Sequence, residues 1–234
     1  MRLRLPLGRR LYLLVAFLLL LVATLPMRVV LGGLGFDERG LSARSVGGSL
    51  WSGRLTEARL RGVALGDLDA GLKLLPLFVG EARVELANDA WRGTAIQSSD
   101  GAGVAALTGR LGPEAVPAAL PIGSLEFADV AARFRDGVCA EAAGTLRVEP
   151  RAGAAAVGSL GQLQGNLRCD GEALLAPLVS GMGRERIDLR LFGDGRYRLS
   201  LILPAADPAT AAALSAAGFV ATAEGLTLTT EGSL

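Results

Sequence analysis

From residue 45 onward, apolar and polar side chains alternate in short runs. Leu68, Ala70, Leu72 and Leu74 alternate with Asp67, Asp69, Gly71 and Lys73. Ala82, Val84 and Leu86 alternate with Glu81, Arg83 and Glu85. Ile187, Leu189 and Leu191 alternate with Arg186, Asp188 and Arg190, and Tyr197, Leu199, Leu201 and Leu203 with Arg196, Arg198 and Ser200. Leu226 and Leu228 alternate with Thr227 and Thr229. A period of two sends successive side chains to opposite faces of a strand. These runs therefore predict antiparallel strands, apolar on one face and wet on the other. Asp194-Gly195, between two such runs, predicts a tight hairpin. Asp100 to Gly103 and the glycines at 158, 161 and 165 read as breaks, and Pro150 to Gly158 as a loop. One helix stands out in this region. Asp207-Pro208 supplies a cap residue and a first-turn proline, Ala209 to Ala217 are helix formers, and Gly218 ends the run. A weaker, proline-rich helical stretch covers Pro113 to Leu120.

The amino terminus follows another rule. Arginines stand at 2, 4, 9 and 10, and Leu11 to Met27 carry no charge. As a helix that run is about 26 Å long, a little short of a hydrocarbon core of roughly 30 Å. Val29 to Leu31 extend its apolar character. A cleaved signal peptide has a similar start, but its apolar stretch is shorter and ends at a small-x-small site. The exit here reads A-T-L-P-M-R. The expectation is an uncleaved transmembrane signal anchor. It divides the chain into a basic cytoplasmic segment (1–10), a membrane span (11–31) and a periplasmic β-rich domain (32–234). The arginine bias sets that orientation, single-pass in a bacterial inner membrane.

Composition narrows the chemistry. The chain has 234 residues and a net charge of +1, so a basic nucleic-acid footprint is absent. Without the four leading arginines the remainder is slightly acidic. It contains no histidine, which removes Ser-His-Asp and Cys-His catalysis and most catalytic zinc sites. Two cysteines cannot build a four-ligand zinc site. No carboxylate pair stands out: Asp67/Asp69 and Asp136/Glu141 read as strand faces or turns. No enzyme, cofactor or metal is expected.

The two tryptophans both sit beside small residues, Trp51 in V-G-G-S-L-W-S-G-R-L and Trp91 in A-W-R-G. Gly47, Gly48 and Gly53 allow a tight bend or bulge. Trp51 could then turn inward as a packing anchor where the chain enters its first strand, with its N–H in need of a partner. A docking contact is the alternative, and Trp91 could repeat the device. Cys139 and Cys169 flank expected strands. They are either two buried thiols or, in the oxidising compartment expected for this domain, a structural disulfide. The second reading is preferred, since the spacing does not suit a redox pair. One helix cannot cover so many apolar strand faces, so the sheet either curves over itself or leaves a groove.

The ordered set resembles the type II secretion system protein N family. The pieces that carry the likeness are the basic-then-apolar start, Gly48-Ser49-Leu50-Trp51-Ser52-Gly53-Arg54-Leu55, the stretch Gly62 to Leu68, Leu74-Leu75-Pro76-Leu77-Phe78-Val79-Gly80, the cysteine pair and the strand after Gly218. The resemblance implies a membrane-anchored structural subunit that supports export of folded proteins across the outer membrane. Its implied partners are other secretion components, in the inner-membrane platform or the outer-membrane channel. Similar segments occur in AsmA-like and TamB-like envelope proteins. The alternative they imply is binding or transfer of lipid along an apolar sheet groove.

Overall fold

The computed structural model describes residues 7–29, 40–60, 63–116, 122–151, 161–204 and 207–233. Arg2 and Arg4, the expected domain boundary at 31/32, residues 117–120 of the weak helix and 152–158 of the loop lie outside the described residues.

Among the described residues, sixteen strands form one antiparallel sheet. β1 (Leu41–Ser42) and β2 (Ser45–Ser49) lie end to end along the outer side of β3 (Ser52–Leu60). β4 (Val63–Lys73), β5 (Ala82–Ala87), β6 (Trp91–Gln97), β7 (Gly101–Leu111), β8 (Ile122–Arg135) and β9 (Val138–Pro150) then pair in chain order. β10 (Leu163–Asn166) lies between β9 and β12 (Ala173–Ser180), and β11 (Arg168–Asp170) pairs with β12 alone. Pro177 explains why β10 and β11 are separate. It has no N–H to give, and pairing to β12 lapses around it. β13 (Arg186–Leu191) and β14 (Arg196–Leu203) continue the sheet. β15 (Val220–Thr222) and β16 (Gly225–Ser233) end it in the order β14-β16-β15.

The register makes one face apolar across several strands. Leu72 pairs with Val84, Val84 with Ala95, Ala95 with Val104 and Val104 with Ala132. In the first half the buried centre of this face is Met27, Leu55, Ala58, Leu68 and Ala70. In the second half the sheet curves around a larger core that includes Val148, Leu163, Leu178 and Leu201. Backbone bulges produce the curvature. Ala106 and Asp129 are non-glycine residues with φ near +50°, and β7–β8 and β8–β9 shift register beside them. Gly144 has φ +93°, and a Cβ there would lie 2.4 Å from the Asp129 carbonyl oxygen.

The hairpin turns gather at two ends. At one end, called here the near end, lie Leu50-Trp51, residues 74–80, Ser98 to Asp100, Asp136-Gly137, Gly171-Glu172 and Gly193 to Gly195. At the far end, α3 (Pro208–Ala216) packs Ala211 and Leu214 onto the second core. Its exit is a two-bond cap: Gly218 N–H donates to Ser215 O and Phe219 N–H to Leu214 O. With φ +95°, Gly218 supplies the left-handed residue this cap requires, and Phe219 turns into the core. Residues 113–116 form a turn rather than the expected helix.

The amino-terminal helix overturns a central expectation. α1 (Leu7–Ala23) has 17 residues, and no helix among the described residues is long and apolar enough to cross a membrane. The cause lies at Thr24 to Met27. Pro26 has no N–H to continue the helix ladder, and the residue before it is pushed away from helical angles. Pro26 instead bridges Ser49, and Met27 is buried in the first core at 5% exposure. The segment counted as the end of a membrane span thus belongs to the sheet domain. The expected transmembrane signal anchor, single-pass inner-membrane topology and span-plus-periplasmic-sheet architecture are corrected accordingly. The fold is a mostly β domain with a few short helices.

Cys139, at the start of β9, and Cys169, in β11, form a disulfide with a Cα–Cα distance of 5.6 Å. It ties two strands that share no ladder, at the near end of the larger core. Replacing both cysteines with serine should lower unfolding stability by roughly 3 to 4 kcal/mol on the loop-entropy model. Chemical denaturation without reductant measures this, and equal midpoints for the two proteins would contradict it.

Candidate functional site

The near end concentrates the unusual features. The β2–β3 turn carries Leu50 and Trp51, and both hold the end of α1. Leu50 N–H donates to Leu25 O at 2.9 Å, and the Trp51 indole N–H donates to Val22 O at 2.9 Å. The last carbonyls of a helix have no partner within it and carry partial negative charge. The indole answers that need together with the Leu25 N–H, which also donates to Val22 O at 3.3 Å. Thr24 adds a second closure, its hydroxyl donating to Leu20 O. Trp51 is half-buried, and its ring lies outside the first apolar core. It is a junction residue between helix and sheet.

The glycines around it act by close approach. A Cβ on Gly53 would fall 2.1 Å from the Met27 sulfur, and one on Gly48, at φ +81°, would fall 2.5 Å from Ser52 O. Trp91 occupies a different setting. It opens β6 at the far end, where its ring packs against the first core. Its backbone N–H donates to Asn88 Oδ1, and the Asn88 amide donates to Leu65 O. The structure therefore keeps Trp51 and Trp91 apart, and Cys139 and Cys169 are remote from both in the second half of the sheet.

Sequence reasoning missed the segment after β4. Leu74, counted as the last inward position of a strand, begins α2 (Leu74–Leu77). Three further backbone bonds close the turn: Val79 N–H to Pro76 O, Gly80 N–H to Leu77 O and Glu81 N–H to Pro76 O. The result is a tight loop whose apolar side chains point outward. Leu75, Phe78 and Val79 are 79%, 78% and 77% exposed. The apolar side chains of α1 from Leu11 to Val22 are exposed as well. The signal for the loop was Pro76 within L-L-P-L-F-V-G, which does not belong inside a central strand.

Beside this loop lies the most enclosed charge cluster. Glu81 accepts from Arg83 at 2.8 Å and from Arg133 across the sheet. These two hydrogen bonds, that from Arg133 first, hold the Glu81 carboxyl below its ordinary pKa. The guanidinium of Arg133 is correspondingly raised. The cluster pins the start of β5 to β8. Among the described residues no group of three or more Cys, Asp or Glu side chains could hold a metal ion.

Two further features are surfaces. Between the bulged strands β7 and β8 and the facing strands β12 and β13 lies an apolar cavity of about 290 Å³. At the end of the sheet, β15 covers only Gly225 to Thr227 of β16, so among the described residues Leu228 to Ser233 pair with β14 alone.

The profile of the family described as type II secretion system (T2SS), protein N, matches residues 39–229. The type II secretion system protein N of Vibrio cholerae serotype O1 is 32% identical over 143 residues, an alignment covering 53% of this chain and 55% of that protein. The chain thus spans about half the length of this curated relative. No solved structure matches.

Trp51→Phe keeps the ring and removes the donor to Val22 O. It should cost about 1 kcal/mol of stability, read by chemical denaturation, and speed proteolysis between residues 24 and 29; wild-type behaviour in both would show that the bond does not hold the junction. The lowered Glu81 pKa implies a stability contribution that is complete above the unfolded carboxyl value of about 4.3 and lost as pH falls through the folded value. The stability gap between wild type and Glu81→Gln should therefore be full at neutral pH and close in acid. A gap independent of pH would contradict it.

Proposed function

The chain belongs to the type II secretion system protein N family, and on that premise we propose that it is a structural and assembly subunit of the secretion apparatus, docking to its partners by strand addition. Membership supports reading it as a component of a secretion machine rather than as an enzyme. In the proposed role it supports export of folded proteins across the outer membrane by linking other components, in the inner-membrane platform or the outer-membrane channel.

The observation that carries the docking mode is the asymmetry of the two sheet edges. Exposed edges invite pairing with another chain, and proteins usually blunt them. The first edge is blunted. β1 and β2 are short and interrupted, Glu57 bulges beside them with φ +49°, Arg44 pairs with Glu57, and Pro26 seals Ser49. Among the described residues the last edge is open over Leu228 to Ser233, and the side chains of Thr229, Thr230 and Glu231 are exposed. An extended partner segment could add there through main-chain hydrogen bonds.

A second reading, favoured by the apolar cavity, is that the domain holds a lipid-like ligand against its sheet face.

Adjacent N–H groups of a strand point to opposite sides. Of Thr229→Pro and Thr230→Pro, one breaks pairing with β14 and the other removes only an outward donor. The variant that keeps wild-type thermal stability should lose co-purification of secretion components from cells that express the whole apparatus. If it captures them as well as wild type, docking at this edge is wrong.

A further inference from the structure

We propose that the cavity between β7–β8 and β12–β13 is a binding site for one unbranched aliphatic chain, whose polar head stays outside at the near end. The proposal rests on the second reading above and deepens it. The cavity wall exposes no polar atom. Its floor, away from the near end, includes Leu146 and Ala176, both buried, Ala176 at 1% exposure. Toward the near end the wall becomes more open, at Phe134, Leu191 and Val104, the last 37% exposed. The far end of the same core is packed by Phe219, Leu214 and Leu226. The cavity is therefore an apolar well, closed by packed side chains toward the far end and more open toward the near end.

The well is held open by the backbone. Ala106, Asp129 and Gly144 take left-handed angles on β7, β8 and β9, next to the lining residues Leu107, Val130 and Leu146. Bulges bend a strand and add twist. The turns at the mouth are braced against each other, Asp136 N–H donating to Asp100 O and Cys139 N–H to Glu172 O, with the Cys139–Cys169 disulfide beside them. Simple collapse onto the void would have to undo these contacts.

The wall chemistry selects the occupant. A peptide strand would bring N–H and C=O groups into a site with nothing to pair them, at a large desolvation cost. A sugar or a charged head fails for the same reason. The volume lies at the bottom of the range for small-molecule sites, which admits one chain and not a two-chain lipid. Methylene groups need no partner, and each buried one contributes by area alone.

The test is calorimetric titration of the full chain, dispersed by an amphipathic polymer rather than a detergent, with n-alkyl carboxylates and n-alkyl phosphocholines. In chains of roughly six to sixteen carbons, each methylene should tighten binding about fourfold (~0.8 kcal/mol) until the well is full, then add nothing. The two head groups should give the same slope and the same plateau, because the head stays outside; binding of the carboxylates alone (a fatty-acid source) or of the phosphocholines alone (a phospholipid-type source) would show that the head is read and overturn the head-outside arrangement. Ala176→Phe at the floor should move the plateau to shorter chains while short chains still bind. Leu191→Trp at the mouth should reduce affinity at least tenfold for all lengths. Phe78→Asp, in the exposed loop, should change neither. The apolar helix α1 is common to all variants and cancels in the comparison. Binding that tightens with length but ignores Ala176→Phe and Leu191→Trp would overturn this site while leaving a ligand elsewhere on the sheet face. No dependence on chain length would overturn the site and the second reading together. Loss of binding in Phe78→Asp would overturn it in favour of a contact made by the loop.

Discussion

One apolar sheet face has to be kept from water, and a single sheet can do so only by bending. The row from Leu72 through Val84, Ala95 and Val104 to Ala132 crosses five strands without a polar interruption. A flat sheet would expose it. Here the bulges at Ala106 and Asp129 curve the second half until β7–β8 and β12–β13 face each other across a shared core. The first half has no such closure. Among the described residues its face is covered at the centre, by Met27 arriving from the amino-terminal segment, and Val84, Leu86 and Trp91 stay half-buried. The two halves thus solve one problem to different degrees.

That difference explains the importance of the α1 junction. The segment after the helix supplies an apolar side chain that the first half lacks. Gly53 leaves the room for Met27, Pro26 ends the helix in time for it to turn, and Leu50 and Trp51 bind the carbonyls of Leu25 and Val22. Helix termination and core filling are one event. A longer α1 would remove Met27 from the core, so the length of the helix is set by what the sheet requires.

Much of the sheet was legible because a half-buried strand writes its period into the sequence. The alternating runs at 68–72, 82–86, 187–191 and 197–203 lie in β4, β5, β13 and β14. The α3 cap was equally plain, since proline at the first turn and glycine past the end have local causes. The long strands β7 to β9 were not. Their stretches are rich in alanine and glycine, and positive-φ residues at 106, 129 and 144 reset the alternation partway along. Of the stretch Asp100 to Gly103 read as a break, Asp100 lies in the turn, but Gly101 to Gly103 start β7, where a Cβ on either glycine would collide with the β8 backbone. The end of α1 was misread for a related reason. Leu25 and Met27 are as apolar as the residues before them, and only tertiary contacts assign them to the sheet. Trp51 showed that it needed a partner, but Val22 O, 29 residues earlier in the chain, could not be named from spacing.

The same logic locates the candidate surfaces. A strand edge is invisible in composition, because it is defined by what fails to pair with it. β16 has the alternation of an ordinary strand, and its openness comes from β15 stopping after three residues. The apolar well is likewise absent from any motif, being the space left when bulges hold two walls apart. Both surfaces reach toward the end where α1 leaves and the 74–80 loop displays Leu75, Phe78 and Val79. The far end, by contrast, is packed by α3 and Phe219. The two ends thus differ in how they use apolar residues: α3 and Phe219 close the core at the far end, whereas the 74–80 loop presents three large apolar side chains outward at the near end.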